Sequence, residues 1–241
     1  MKNSNYDLYS AAPESLRRIS PALERYTSEI LLGGVWQRPQ LSARDRCIVT
    51  LSVLTARNQS ADLPYYLSLA LDNGVEPSEI SEIITHLAFY SGWANATAAV
   101  KMTHAVFERR GIDLARLPSA DAELLPLDMA VEERRHALVM HNFGAVAPGL
   151  VQLTSDVLFQ DLWRRPGLTP RDRSLVTVCS VVATAQTAQL AFYLNRAMDN
   201  DLTRAEISEV MTQLAFYSGW SSVYTALAIV KDVFEARRTV P

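Results

Sequence analysis

The sequence predicts an all-α protein built from two tandem helical domains, and three observations lead there. Leu41-Ser-Ala-Arg-Asp-Arg46 returns as Leu168-Thr-Pro-Arg-Asp-Arg173, and the offset of 127 residues holds without a gap to the end of both halves. Apolar residues then recur at helical spacing in both copies, as Ile80, Ile83, Ile84, Leu87 and Ala88 and as Ile207, Val210, Met211, Leu214 and Ala215. Nowhere does the alternation that marks a half-buried strand appear convincingly.

Taken in order, Trp36-Gln-Arg-Pro39 matches Trp163-Arg-Arg-Pro166 ahead of the first long element. The segment Arg46 to Arg57 is apolar at almost every position and lacks glycine and proline, so it is a fully buried helix or a strand. Its length favours helix, although its β-branched residues would suit a strand. The next helix, Leu63 to Asn73, stops at Gly74, where the second half carries Asp201, which tolerates the left-handed geometry less well. Thr203-Arg-Ala-Glu206 is a capping box, and its twin places Pro77 in the first turn and Glu79 where the box has Glu206. Gly92 and Gly219 end those helices, and final helices follow over Ala94 to Arg110 and Ser221 to Arg238. Gly111 to Asp128 holds two prolines and little periodicity, so it reads as a linker. The boundary falls near Ala120, giving domains 1–120 and 121–241.

The chain has 241 residues, 49% of them apolar and 20% charged, which is globular composition. With 23 basic and 26 acidic residues the formal charge is −3, so no broad basic face for a phosphate backbone is expected and nucleic acid is excluded as a partner. The longest apolar stretches, Ile48 to Ala56 and Leu175 to Ala185, fall short of the roughly 18 residues of a membrane span. No membrane association is expected. The opening residues, MKNSNYDLYSAAPESLRR, lack an apolar signal core, which points to a cytoplasmic location. Cys47 and Cys179 form no CxxC pair and lie in apolar segments, so both read as buried thiols.

The four histidines, His86, His104, His136 and His141, include no pair at helical i, i+4 spacing, so no metal is expected. G-x-S-x-G, G-x-G-x-x-G and P-loop signatures are missing as well. The chemistry is expected to need no cofactor.

The series W-x-R-P-x-L, R-D-R-x-L-V-T, a helix opening with x-L-x-x-Y, then N-x-x-x-x-x-E-I-x-E and Y-S-G-W, resembles the carboxymuconolactone decarboxylase family, related to the alkylhydroperoxidase D family. The resemblance covers roughly residues 21 to 110 and 130 to 238. It implies an all-helical alkylhydroperoxidase D-like fold, assembly into rings built from dimers, and active sites between helices near subunit contacts. A fused pair resembles one such dimer, and three chains would rebuild a six-domain ring, making the protein a homo-oligomer.

The departures narrow the chemistry that the resemblance implies. The peroxidase branch uses C-x-x-C-x-x-x-H, where this chain has Gln59, Asp62 and Tyr66 in one half and Gln186, Gln189 and Tyr193 in the other. Thiol peroxidase chemistry is excluded. The glutamate that precedes this segment in that branch is replaced by Cys47 and Ser174. In the decarboxylase branch's E-L-x-x-H, both histidines have become Tyr66 and Tyr193. Tyrosine, with an ordinary pKa of about 10, is a poor base at neutral pH but a serviceable hydrogen-bond donor and acid.

Loss of carbon dioxide from a butenolide carboxylate leaves a dienolate, so catalysis needs a donor at the lactone oxygen and an acid at carbon. Tyr66 and Tyr193 are the candidate catalytic phenols, with an aromatic filler of a buried cavity as the bland alternative. His86 is a third candidate, an acid or base in only one half because Gln213 is its counterpart. Arg46 and Arg173 are candidate carboxylate ligands, though R-D-R at a helix start also suits an ion-paired structural element. Trp36, Trp163, Tyr90, Tyr217, Trp93 and Trp220 are candidate pocket walls that would serve equally as packing. His104, His136 and His141 read as solvated.

These readings leave three functions, each with a small-molecule ligand. They are a cofactor-free decarboxylase of a small carboxylated lactone or related enolisable acid, a cofactor-free isomerase or cyclase, and a non-catalytic binder. Divergence of the two halves would leave one working site.

Overall fold

The computed structural model describes residues 14–238; most of the stretch read for an export signal, residues 1–13, lies outside them. The described residues form helices and turns with no strand. The first half comprises α1 (Glu14–Ile19), α2 (Pro21–Arg25), α3 (Ala43–Ala56), α4 (Leu63–Asp72), α5 (Pro77–Ser91) and α6 (Trp93–Arg110). The second comprises α7 (Met129–Phe143), α8 (Pro148–Leu153), α9 (Pro170–Ala183), α10 (Leu190–Asp199), α11 (Arg204–Ser218) and α12 (Trp220–Ala236). Among the described residues no helix is long and apolar enough to cross a membrane.

The segment left between helix and strand is helical. Ser42 starts α3 by accepting the Asp45 N–H at 3.0 Å, and Thr169 starts α9 by accepting that of Asp172 at 3.1 Å. Both helices are buried at nearly every position from those aspartates onward, and each enclosed Leu, Ile or Val stabilises the fold by roughly 1.5–3 kcal/mol. Burial on all sides is why neither shows an amphipathic stripe. Their hydroxyls turn inward on the helix itself, as Thr50 Oγ1 does on the Arg46 carbonyl at 2.9 Å.

α3 and α9 pack against each other at the centre, α11 crosses onto α3, and α5 crosses onto α9. Each half therefore completes the other's core. Charge crosses the same seam: Arg44 Nη2 lies 2.8 Å from Asp172 Oδ2 and 2.5 Å from Glu79 Oε1, and Arg171 Nη2 lies 2.8 Å from Asp45 Oδ2 and 2.6 Å from Glu206 Oε1.

The helix stops follow the sequence reading. Gly74 has φ +82° and its counterpart Asp201 has φ +69°, so the second half accepts the left-handed turn without glycine. α5 and α11 end at Gly92 and Gly219. Within each half, α2 and α8 widen into π-helical turns, Tyr26–Leu32 and Thr154–Phe159, ahead of the turns that carry Trp36 and Trp163. α7 lies in a region where sequence periodicity predicted no particular element.

The linker is fastened to the second half. Arg165 donates to the Ser119 and Ala120 carbonyls, each at 2.9 Å, and Leu125 N–H donates to the Arg164 carbonyl at 2.7 Å. Gly167 marks the crossing point: a Cβ there would come within 2.8 Å of Glu82 Cγ and 3.2 Å of Pro118 Cγ, so α5, the linker and the second half meet where a side chain does not fit.

Candidate active site

The interlocked halves produce two related clusters. In the Tyr66 cluster, Trp36 Nε1–H donates to Tyr217 Oη at 2.9 Å, and Tyr217 Oη lies 2.9 Å from Tyr66 Oη. The Trp36 and Tyr66 rings stack with centroids 6.1 Å apart. In the Tyr193 cluster, Trp163 Nε1–H donates to Tyr90 Oη at 2.8 Å, the Trp163 and Tyr193 rings stack 6.4 Å apart, and Tyr90 meets Tyr193 edge-on at 5.4 Å. Each cluster takes its tryptophan and α4 or α10 tyrosine from one half and its α11 or α5 tyrosine from the other.

Beneath each cluster lies a buried arginine frame. Arg46 Nη2 reaches Glu209 at 2.9 Å and the Arg38 carbonyl at 2.7 Å, while its Nη1 donates to Gln213 Oε1 at 2.9 Å. Arg173 Nη2 reaches Glu82 at 2.7 Å and the Arg165 carbonyl at 2.8 Å, while its Nη1 faces His86 Nδ1 at 3.4 Å. Burial alone would raise the Glu82 and Glu209 carboxyls. Hydrogen bonds and charges from Arg165 and Arg173, and from Arg38 and Arg46, outweigh it and hold both below the ordinary range.

That depression has a pH consequence. A carboxyl whose folded pKa is lowered contributes stability above its unfolded pKa and loses it as pH falls through the folded value. The urea midpoint should therefore be steady above about pH 5 and fall progressively below about 4.3, the ordinary glutamate value. Glu82→Gln with Glu209→Gln should flatten that acid limb; a wild-type midpoint unchanged between about pH 5 and 3 would contradict the assignment.

His86 occupies the place of Gln213 in this frame. Gln213 Nε2 donates to Thr50 Oγ1 and to the Arg46 carbonyl, both at 2.8 Å. His86 Nε2 lies 2.7 Å from Thr177 Oγ1, which itself donates to the Arg173 carbonyl at 2.8 Å. Arginine can only donate, so Nδ1 is the acceptor and the proton sits on Nε2. Burial, joined by the charges of Arg173 and Arg196, pushes the imidazole well below its usual pKa and keeps it neutral. The ring that the sequence offered as an acid or base is fully buried, has both nitrogens engaged by Thr177 and Arg173, and stacks on Tyr90 at 4.8 Å.

Two further expectations change. Arg46 and Arg173 are fully buried, and their Nη groups are held by protein partners, so they frame the clusters instead of binding a substrate carboxylate. Trp93 and Trp220, 62% and 53% exposed, pack on Phe89 and Phe216 at the surface and join neither cluster. Among the histidines read as solvated, His104 and His141 are exposed, but His136 is half-buried with Nδ1 2.6 Å from Ser155 Oγ.

Beside Tyr193 lies a cavity of about 450 Å³ lined by residues of α7, α8, the following π turn and α10. Its walls include Arg135, Leu158, Phe159, Gln189 and Phe192, so the glutamine at the E-L-x-x-H glutamate position faces it. Arg135 is held by Glu132 at 2.5 and 2.7 Å and stacks over Phe159 at 4.1 Å. Burial raises the Tyr193 phenol, opposed by hydrogen bonding to Tyr90 and by the charges of Arg196 and Arg135. Burial also raises Tyr66, and there the neighbouring Tyr217, Tyr65 and Asp62 push in the same direction. The two phenols differ in electrostatic setting, and only Tyr193 has cations at hand to favour a negative charge.

The model of the family described as "Carboxymuconolactone decarboxylase family" matches residues 21–105 and again 148–232. The chain belongs to the carboxymuconolactone decarboxylase family. Over 99 residues, 41% of this chain and 74% of the relative, it is 33% identical to a 4-carboxymuconolactone decarboxylase of Acinetobacter baylyi. It is also 34% identical over 71 residues, 30% of this chain and 50% of the relative, to a nitrosuccinic acid decarboxylase of Metarhizium robertsii. In this carboxymuconolactone decarboxylase family member the duplication places two copies of the family unit in one chain, and the Tyr66 and Tyr193 clusters sit where those copies interlock.

Sequence reasoning missed Arg135, Arg196 and Phe159. A signal for two of them was present: Arg196 stands opposite Leu69, and Phe159 opposite Leu32, in otherwise matching stretches of the repeat.

Proposed function

We propose that this chain is a decarboxylase of a small carboxylic acid whose departing carboxyl leaves an electron pair conjugated to an oxygen acceptor, and that the reaction occurs in the Tyr193 cavity. The observation that carries the reading is that cavity, walled by the Tyr193 phenol that Tyr90 backs and by the Arg135 guanidinium, with the charge of Arg196 acting on the same phenol. The family supports it, as do the relatives, named for decarboxylation of a lactone acid and a nitro acid.

In the proposed step the bond between carbon and carboxylate breaks and carbon dioxide leaves. The electron pair moves through the adjacent unsaturation onto the acceptor oxygen. The Tyr193 hydroxyl donates a hydrogen bond there as charge develops, and a proton from solvent completes the carbon. A buried phenol that stays protonated suits this role, because donors fixed before the reaction need no reorganisation during it.

Supplied with a panel of small butenolide carboxylates and nitro acids, the purified protein should release carbon dioxide from at least one member in buffer containing chelator and no flavin. Silence across the panel would remove the decarboxylase reading. Self-association belongs to the same proposal: Leu138, Val146, Leu150 and Leu153 are 58–81% exposed on α7, α8 and the turn between them, an apolar surface suited to contact between chains. Sedimentation equilibrium should give three chains per particle, and a monomer at micromolar concentration would refute the ring.

A further inference from the structure

Arg196 on α10 has no hydrogen bond and no ion pair among the described residues, and its Nε is buried without a partner. Its guanidinium lies 4.1 Å from the Trp163 ring centroid and 5.3 Å from that of Phe159. Aromatic faces recover part of what a cation loses on leaving water, but a half-buried charge with no ion pair remains costly. The acid nearby, Glu132, is already bound by Arg135. Arg135 itself keeps Nη1 buried and unbonded. The region around the Tyr193 cavity thus has one positive charge in excess and two buried nitrogens, Arg196 Nε and Arg135 Nη1, without a hydrogen-bond partner.

The fold does not require this arrangement. The first half builds the same helix with Leu69 in place of Arg196, and the same π turn with Leu32 in place of Phe159. Phe159 serves both guanidiniums as a platform, so cation and platform differ together from the first half. Arg196 lies three residues beyond Tyr193 on the same side of α10; it stands outside the cavity's lining, to which Phe159 and Arg135 belong, and meets that wall through the Phe159 ring.

We propose that Arg196, aided by Nη1 of Arg135, is a carboxylate-binding subsite of the Tyr193 cavity, so that each chain takes up one small carboxylic acid in its second half and none at the corresponding place in the first. What becomes of that acid rests on the decarboxylase reading; its binding does not. A guanidinium fits because it presents paired donors to a planar anion.

Isothermal titration calorimetry at low ionic strength, with succinate as the probe and succinamide as its neutral control, tests the subsite. One succinate should bind per chain, and succinamide should not bind. Arg196→Leu, which installs the first half's residue, should weaken succinate at least tenfold and leave the melting temperature equal or higher, since it removes an unmatched charge. Arg196→Lys should fall between the two, keeping charge but losing the paired donors. Wild-type affinity in Arg196→Leu, two succinates per chain, no binding to the wild type, or a large drop in melting temperature would each overturn the proposal. Succinate binding as described without carbon dioxide release would sink the decarboxylase reading and leave the subsite standing. Carbon dioxide release with succinate affinity indifferent to Arg196 would do the reverse.

Discussion

Glu82→Ala should destabilise the fold by about 3–5 kcal/mol, the range for breaking a buried ion pair from one side. Glu82 is 1% exposed and Arg173 0%, so the deletion strands a cation that water does not reach. Arg165, which holds Glu82 at 2.7 Å and also fastens the linker at Ser119 and Ala120, loses its anchor in the same step. Glu209→Ala should cost less, because one of its partners, Arg38, is 49% exposed and can be hydrated. Urea unfolding at pH 7 measures both. The denaturant midpoint should fall with little change in slope, and a loss under about 1 kcal/mol for Glu82→Ala would mean that the frame does not hold the clusters.

Tyr193→Phe should lower kcat for carbon dioxide release about a hundredfold, the scale for removing one preorganised donor to a developing oxyanion. Tyr66→Phe should stay within about twofold. The asymmetry follows from the surroundings: Tyr193 lines the cavity with two guanidiniums nearby, whereas the Tyr66 hydroxyl is bonded to Tyr217 at 2.9 Å among neighbours that oppose a negative charge. Steady-state kinetics with both variants decides the matter, and equal losses would show that the halves share the work.

The legible parts of the structure were those written locally. The repeat, the capping box at Thr203, the stops at Gly74 and Gly92 and the buried run from Arg46 all depend on residues close in sequence, and each appears in the fold near its expected place. The pairing of Arg173 with Glu82 spans 91 residues and that of Arg46 with Glu209 spans 163. Single-chain periodicity carries no trace of which glutamate meets which arginine, so both arginines read equally well as substrate ligands. The setting of His86 was hidden for a related reason: only the fold shows that Thr177 and Arg173 meet its ring nitrogens as Thr50 and Arg46 meet the amide of Gln213. Arg196 stood out only by comparing the halves, because its meaning depends on Phe159 and Trp163, brought to it by tertiary packing.

The exchange of residues across the seam bears on how such a chain can change. When two identical subunits pair, every substitution is installed twice, and a variant that improves one pocket alters its twin as well. Here the copies are encoded separately, so arginine can replace leucine beside one tyrosine while the other keeps its aliphatic wall, and histidine can face glutamine across the pseudo-twofold axis. Because each cluster borrows a glutamate and a tyrosine from the opposite copy, neither copy can be discarded even if one cluster falls silent. A copy without chemistry of its own would still persist as the scaffold of the other.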